Sequence, residues 1–476
     1  MSPSPTTPRG RRELSKMTPR DPSVDCGNRP RLFLDCSMTA NSTAQAGIQR
    51  VVRNVVRCAP NIAHDLGLEA RTVVFRDGRW RDVPTALDRV YSQHSSPNRR
   101  PNSPNLPRKI ADRLYKIFFP RTLVRNARRL ASSAFSFGEP TVEFRRGDIL
   151  LLLDGSWLVS EIPRFEAARR AGAKIGLVAY DLLPVLPERY MLPKSERRFR
   201  YWMRQVIPQV DFIVAISRAV RDEFQAWLPE EFPDLDFEKS RVSWFPLGVK
   251  LDLAAPNGDV RPEVKAAFSA EYPTYLKVCT FEPRKNHKTV LDAFDQVWSQ
   301  RPDARLCLIG REGWMCDELV DRIKRDPRLG IQLHWFSDLS DAELSYAYRH
   351  AYGTVFASLA EGYGLPIVES LQQGLPTFAS DIPVHREVGG DFCAWFPPRQ
   401  PHELARLLLQ HLETGKQTSL RPPAEFRPTT WEESTDALVM ECLRRSAPTK
   451  DIFVGRGRQA ASHPPVPPSL TEEIYR

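Results

Sequence analysis

The feature that most constrains the fold of this chain is the repeated exchange of short apolar runs with helical stretches. Six runs stand in the first half, at 31–37, 71–76, 148–153, 174–180, 211–217 and 241–245. Five more stand in the second, at 275–280, 305–309, 331–336, 353–357 and 376–380. Most are continuous rather than alternating, the pattern of parallel strands covered by helices on both faces. With 476 residues, the chain exceeds the size at which one hydrophobic core keeps growing. The reading is therefore α/β in two copies: two Rossmann-like domains with parallel sheets.

The boundaries follow composition. Residues 1–30 are rich in Pro, Ser and Arg, and 447–476 contain SHPPVPPSL; both are read as disordered tails. Residues 31–250 form the first domain, 251–259 a polar linker and 260–426 the second domain. Residues 427–446 are read as a terminal helix, and their resemblance to the last helix of a known family implies that it crosses back to the first domain. Within the first domain, 95–140 breaks the pattern: an irregular Pro/Asn/Arg stretch precedes a helical period of Ile110, Leu114, Ile117 and Phe118 among Lys and Arg. Such a basic amphipathic insertion fits an anionic membrane surface or an ordinary packed helix.

The net charge is +10, which suits polyanionic or phosphate-bearing partners as well as a plain soluble surface. No apolar run approaches the roughly 18 residues of a spanning helix, and no apolar stretch follows the basic start as in a secretory signal. A cytoplasmic protein, peripheral on the inner face of the plasma membrane through 95–140, is the expectation. Eight scattered cysteines without a CxxC pair argue against a disulfide framework or structural zinc. His287, His334, His350, His385 and His402 show no metal-ligand spacing and are read as structural or surface residues. No zinc-finger, RNP-like or homeodomain pattern supports nucleic-acid binding, and no GxxxxGK[ST] loop is present.

Two segments carry chemistry. AEGYGLPIVES, 360–370, follows the apolar run 353–357. Gly362 and Gly364 permit tight turns, Pro366 suits the first turn of a helix after Leu365, and Glu361 and Glu369 flank the loop. That edge of a parallel sheet binds ligands, and a helix start there offers N–H groups to phosphate. Glu369 could accept from ribose hydroxyls and Glu361 from a sugar; spacing alone equally fits a glycine turn with two solvated carboxylates. TFEPRKNHK, 280–288, places Arg284 and Lys285 at another strand end. Fixed cations there would stabilise a departing diphosphate. The competing reading is a basic helix start facing water, which the helix dipole disfavours without an anion.

These segments, with LIGREGW (308–314), FSDLSDAELSYAY (336–348), FASLAEGYGLPIVESLQQGLPTFASDIPVHREVGGD (356–391) and PTTWEES (428–434), resemble the retaining GT-B glycosyltransferases of the large bacterial family that includes many mannosyltransferases, glycosyltransferase family 4. DCSMTANSTAQAGIQRVVRNVV (35–56) resembles its first strand, glycine turn and helix, with Gly47 approaching the donor. YDLLPVLPERY (180–190) resembles a strand end where many relatives carry His; here Tyr180 stands there, and Asp181 is carried over as a loop anchor or acceptor-side group. Ser217 and Gly248 match landmarks of the cleft wall and hinge.

The resemblance implies a metal-independent hexosyltransferase without a resident cofactor. Its donor would be a nucleotide sugar such as GDP-mannose, with UDP-glucose as the alternative. Its acceptor would be a growing polysaccharide or lipid-linked oligosaccharide. A non-catalytic sugar-nucleotide binder on the same fold is the rival. In the implied scheme Arg284, Lys285 and Glu361 are catalytic. Gly47, Glu361, Gly362, Gly364, Leu365, Pro366 and Glu369 bind the donor.

Overall fold

The computed structural model describes residues 29–42, 47–83, 139–158, 161–188, 190–235, 238, 241–249, 258–415 and 423–446. Both tails, nearly all of the 95–140 insertion and most of the 251–259 linker lie outside the described residues.

The first sheet contains β1 (Arg31–Asp35), β2 (Glu69–Arg76), β3 (Arg79–Asp82), β4 (Ile149–Leu152), β5 (Lys174–Ala179), β6 (Phe212–Ala215) and β7 (Val242–Trp244). Their order is β3-β2-β1-β4-β5-β6-β7, parallel except for the β2–β3 hairpin. The central strands are buried on both faces, which is why β4 reads Ile-Leu-Leu-Leu with no polar alternation. Helix α1 (Ile48–Asp65) lays Val51, Val52, Val55, Val56, Ala59 and Ala63 on the core, the three-and-four spacing of an amphipathic helix. Further helices are α2 (Glu166–Arg170), α3 (Pro193–Val206) and α4 (Arg218–Glu231).

The second sheet contains β8 (Thr274–Val278), β9 (Arg305–Ile309), β10 (Leu333–Phe336), β11 (Gly353–Phe356), β12 (Thr377–Ser380) and β13 (Cys393–Phe396), all parallel, in the order β10-β9-β8-β11-β12-β13. Its helices are α5 (Pro262–Ala267), α6 (His287–Gln300), α7 (Asp317–Arg325), α8 (Asp341–His350), α9 (Leu365–Gln372), α10 (Pro383–Gly389) and α11 (Pro401–Thr414).

All eleven apolar runs contain strands, with shifted ends. The run at 331–336 begins pairing only at Leu333, because Ile331 stands in the preceding turn and is 62% exposed. β3 and β13 match none of the eleven runs.

Helix α12 (Trp431–Ser446) packs on α1 and β6, so the chain returns to the first domain. Trp431, Leu438, Val439 and Cys442 belong to that domain's core. The crossing is close: a Cβ on Gly248 would lie 2.5 Å from Trp431 Cα. Only a glycine admits that approach. The Val249 amide donates to the Thr429 carbonyl at 2.9 Å beside it.

In each sheet the chain turns outward on one side and then restarts on the other. The reversal falls between β1 and β4 in the first sheet and between β8 and β11 in the second. The crevice beyond the carboxyl ends of such strands is where open α/β sheets hold ligands.

Candidate functional site

The β8–β11 crevice gathers the charged residues of both motifs. Beyond β8, Pro283–Lys285 form a single 3-10 turn, and Asn286, at φ 51°, swings the chain into α6. Asparagine tolerates that left-handed conformation, and its side chain then binds the Ala357 and Pro398 carbonyls at 3.1 and 2.6 Å. The Leu359 amide donates to the Arg284 carbonyl at 2.7 Å. The turn after β8 is thereby fastened to the loop after β11. Lys277, buried on β8, donates to the Lys285 carbonyl at 2.9 Å and holds the turn from beneath.

Arg284 and Lys285 both reach Glu361. Arg284 Nη1 lies 2.6 Å from Glu361 Oε2, Lys285 Nζ bonds Oε1, and Ser358 Oγ donates to Oε1 at 2.8 Å. The side chains of Arg284, Lys285 and Glu361 are 14%, 13% and 12% exposed, so this is no basic helix start facing water. Burial opposes the charge on Glu361, but Arg284 and Lys285 outweigh it and hold the carboxyl well below the usual range. Burial likewise opposes the Arg284 charge, and Glu361, Glu282 and Asp181 overcome it and raise its pKa. Glu282 Oε2 is 2.8 Å from Arg284 Nε, too poorly aimed for a good hydrogen bond. Burial leaves the Glu282 carboxyl raised, with Arg284 opposing.

Glu369 lies on the second turn of α9, below a start formed by Gly364 at φ 102°, Leu365 and Pro366. Its Oε1 pairs with Arg50 of the first domain and its Oε2 accepts from Tyr348 OH at 3.3 Å. Behind Gly364 stands buried His385, whose Nδ1 is 3.1 Å from Ser380 Oγ. Burial pushes His385 down to about 4, so it is neutral at ordinary pH beside Glu361.

The first domain closes the other side. Gly362 sits directly on Tyr180: a Cβ there would be 2.2 Å from the Tyr180 carbonyl oxygen. Tyr180 OH is turned away and donates to the Leu153 carbonyl at 2.7 Å. Asp181 accepts from the Leu183 amide at 3.1 Å; burial raises its carboxyl and the Arg284 charge opposes that rise. Ser217 Oγ donates to the Gly362 carbonyl at 2.9 Å, and Tyr363 OH to the Leu247 carbonyl at 3.0 Å. Glu387 from α10 accepts from the Arg218 and Ala219 amides at 2.8 and 3.0 Å, an acid from one domain at a helix start of the other. Gly47, at φ 58°, opens α1, and a Cβ on it would meet no atom of the described residues within 4 Å.

The β1–β4 crevice is acidic and self-satisfied. Asp35 receives the Ser37 and Ser156 hydroxyls, each at 2.5 Å, and Asp154 receives the Met38, Thr39 and Gly155 amides. Burial, then the Asp154 charge, push Asp35 up to about 6.

Of the residues singled out in the sequence, the structure brings together Arg284, Lys285, Glu361, Gly362, Gly364, Leu365, Pro366, Glu369 and Asp181. Tyr180 contributes its backbone. Arg50, Tyr348, Ser358 and Glu387 join them; all four lie inside the family-like segments, where nothing in the local sequence marks them as site residues. Among the described residues no three His, Cys, Asp or Glu side chains gather as a metal site, and no helix is long and apolar enough to cross a membrane.

Two Rossmann-like parallel sheets facing across a charged crevice define a GT-B protein. Residues 262–421, the bulk of the second domain, match the family described as Glycosyl transferases group 1. It is 29% identical over 417 residues to an Escherichia coli serotype-specific mannosyltransferase WbdA, covering 86% of this chain and 46% of that protein. It is 30% identical over 168 residues to the Escherichia coli O-antigen chain mannosyltransferase B, covering 34% and 44%. The chain thus spans less than half the length of these relatives. The solved Anabaena HepE complex with UDP-glucose superposes with TM-score 0.50 at 17% identity, covering 88% of this chain and 98% of that one.

Proposed function

We propose that this chain is a glycosyltransferase that moves a hexose from a nucleoside-diphosphate donor, with retention of anomeric configuration and without a metal. The observation that carries the reading is the convergence of Arg284 and Lys285 on Glu361 at the β8–β11 crevice, facing the first domain. Two fixed cations in a site with little water are worth most where charge develops. The leaving diphosphate gains charge as its bond to the sugar breaks. Arg284 and Lys285 would take that charge, while Glu361, held ionised by the same cations, would orient the sugar hydroxyls. The Gly364–Leu365 backbone would meet the donor at the start of α9, and Glu369 would hold the ribose. The acceptor hydroxyl would enter from the first domain on the face that the diphosphate leaves, and the departing phosphate oxygen would take its proton. Positioning and charge stabilisation then supply most of the barrier reduction.

The mannosyltransferase names of the relatives support GDP-mannose as donor. A polysaccharide or lipid-linked glycan is the acceptor of this proposal, met at a cytoplasmic membrane surface through 95–140. Thermal unfolding with GDP-mannose, UDP-glucose and an ADP-sugar tests the donor, because a ligand of the native state raises the melting temperature. Stabilisation by GDP-mannose, followed by sugar transfer to a lipid-linked acceptor, is expected. Stabilisation by UDP-glucose alone would replace the donor. No response to any of the three would remove the reading.

A further inference from the structure

Arg50 has no role in the proposed mechanism, yet it reaches the ribose acid from the opposite domain. It stands three residues after Gly47, in the first turn of α1, and its Nη1 pairs with Glu369 Oε1. The carboxylate is only 9% exposed, and its second oxygen is taken by Tyr348 OH. A guanidinium in the first turn of a helix lies against the positive end of the dipole and needs an anion close by. Here that anion is Glu369.

The same carboxylate is the one assigned to the ribose, so ligand and Arg50 compete for it. The start of α9 lies about 6 Å along the helix axis from Glu369, at 1.5 Å of rise per residue. That is within the swing of an arginine side chain whose backbone is fixed.

We propose that Arg50 is a donor-contact residue supplied by the first domain: it holds Glu369 before the donor arrives and passes to the donor diphosphate when the ribose takes the carboxylate. The donor site is then bipartite. Filling it ties α1 to the phosphates, so the first domain senses a whole nucleotide rather than a nucleoside. This rests on the assignment of Glu369 to ribose given above.

The test compares affinities for guanosine and GDP by isothermal titration, with uridine and UDP in parallel, in wild type, Arg50→Ala, Arg50→Lys and Glu369→Ala. Loss of a charge-assisted contact predicts that Arg50→Ala weakens GDP by about tenfold or more. Guanosine, freed of its competitor, binds as well as before or better. Arg50→Lys, which keeps the charge without the planar fork, recovers part of the GDP affinity. A purely structural Arg50 would weaken both ligands alike, and an unchanged ratio of GDP to guanosine affinity in Arg50→Ala overturns the proposal. Glu369→Ala weakens both ligands together if the ribose assignment holds. If it weakens neither, that assignment fails, whatever the Arg50 ratio shows. Thermal melts of each variant confirm that the fold is retained.

Discussion

At the residue scale, Glu361 is the point on which the site turns. One carboxylate holds two cations, which in the proposed mechanism turn to the diphosphate of the donor. Arg284 is the better placed of the two to follow developing charge, because its planar fork can serve Glu361 and phosphate together. Arg284→Ala and Lys285→Ala should each lower turnover by about a hundredfold, as for loss of a preorganised donor, with a smaller effect on the donor KM. Steady-state kinetics separate the two quantities, and a variant with wild-type turnover would remove that residue from the mechanism. These three residues were legible because each lies in one short segment whose glycines, proline and charges announce a strand end. Arg50 was not. It is 319 positions from Glu369, and nothing local to GIQR names its partner. Tyr348 was hidden for the same reason: it is buried in the core, and only the fold brings its hydroxyl to the carboxylate.

At the scale of elements, the loop 360–364 is a bridge between the domains as well as the turn proposed to meet the donor. Its Gly362 carbonyl accepts from Ser217, its Tyr363 hydroxyl reaches Leu247, and its Gly362 Cα rests on the Tyr180 carbonyl. The last contact is backbone on backbone, so no side chain can move aside. Gly362→Ala should therefore push the loop off the first domain, lower kcat/KM at least tenfold and increase the radius of gyration of the protein without donor. Small-angle scattering and kinetics check this; an unchanged scattering curve with wild-type rate would show that the contact can be lost without consequence. The fold itself was legible wherever strands are buried on both faces. β3 was missed because Arg-Trp-Arg-Asp has one buried side chain, Trp80, on an edge strand. The signal was present in the turn before it: Asp77 and Gly78 both have positive φ, the two-residue hairpin that an Asp-Gly pair favours. β13 is four residues long and follows Gly389 and Gly390, which read as a turn with nothing periodic behind it.

For the whole molecule, the two domains are built to answer acid differently. The second buries His287, His385 and His411, all neutral: burial holds His385 and His411 to about 4 and His287 well below its ordinary value, with Lys277 and Lys285 adding to the last. Their folded pKa values lie below the unfolded value near 6.5, so the unfolded state binds the extra protons. The stability they represent is complete above about pH 6.5 and is lost as pH falls towards 4. His385 and His411 each lose stability by roughly 1 kcal/mol per pH unit across that window, and His287 acts in the same direction. The first domain buries Asp35, raised to about 6, which binds its proton in the folded state first and so gains stability over part of the same descent. Glu223 is pushed up to about 7 by its burial in the cleft and by Asp181, but more than a third of the residue meets solvent, so its share is screened. The three buried histidines of the second domain, opposed there by the raised Glu282 and set against the raised Asp35, Asp154 and Asp181 of the first, leave the second domain the weaker partner in acid. Hydrogen exchange read by mass spectrometry at pH 7, 6 and 5, corrected for intrinsic exchange rates, should show protection in β8–β13 falling while that of β1 and β4–β6 holds. His385→Gln with His411→Gln should flatten the response of the second domain. Equal loss in both sheets, or none between pH 7 and 5, would mean that the buried imidazoles do not set the acid limit.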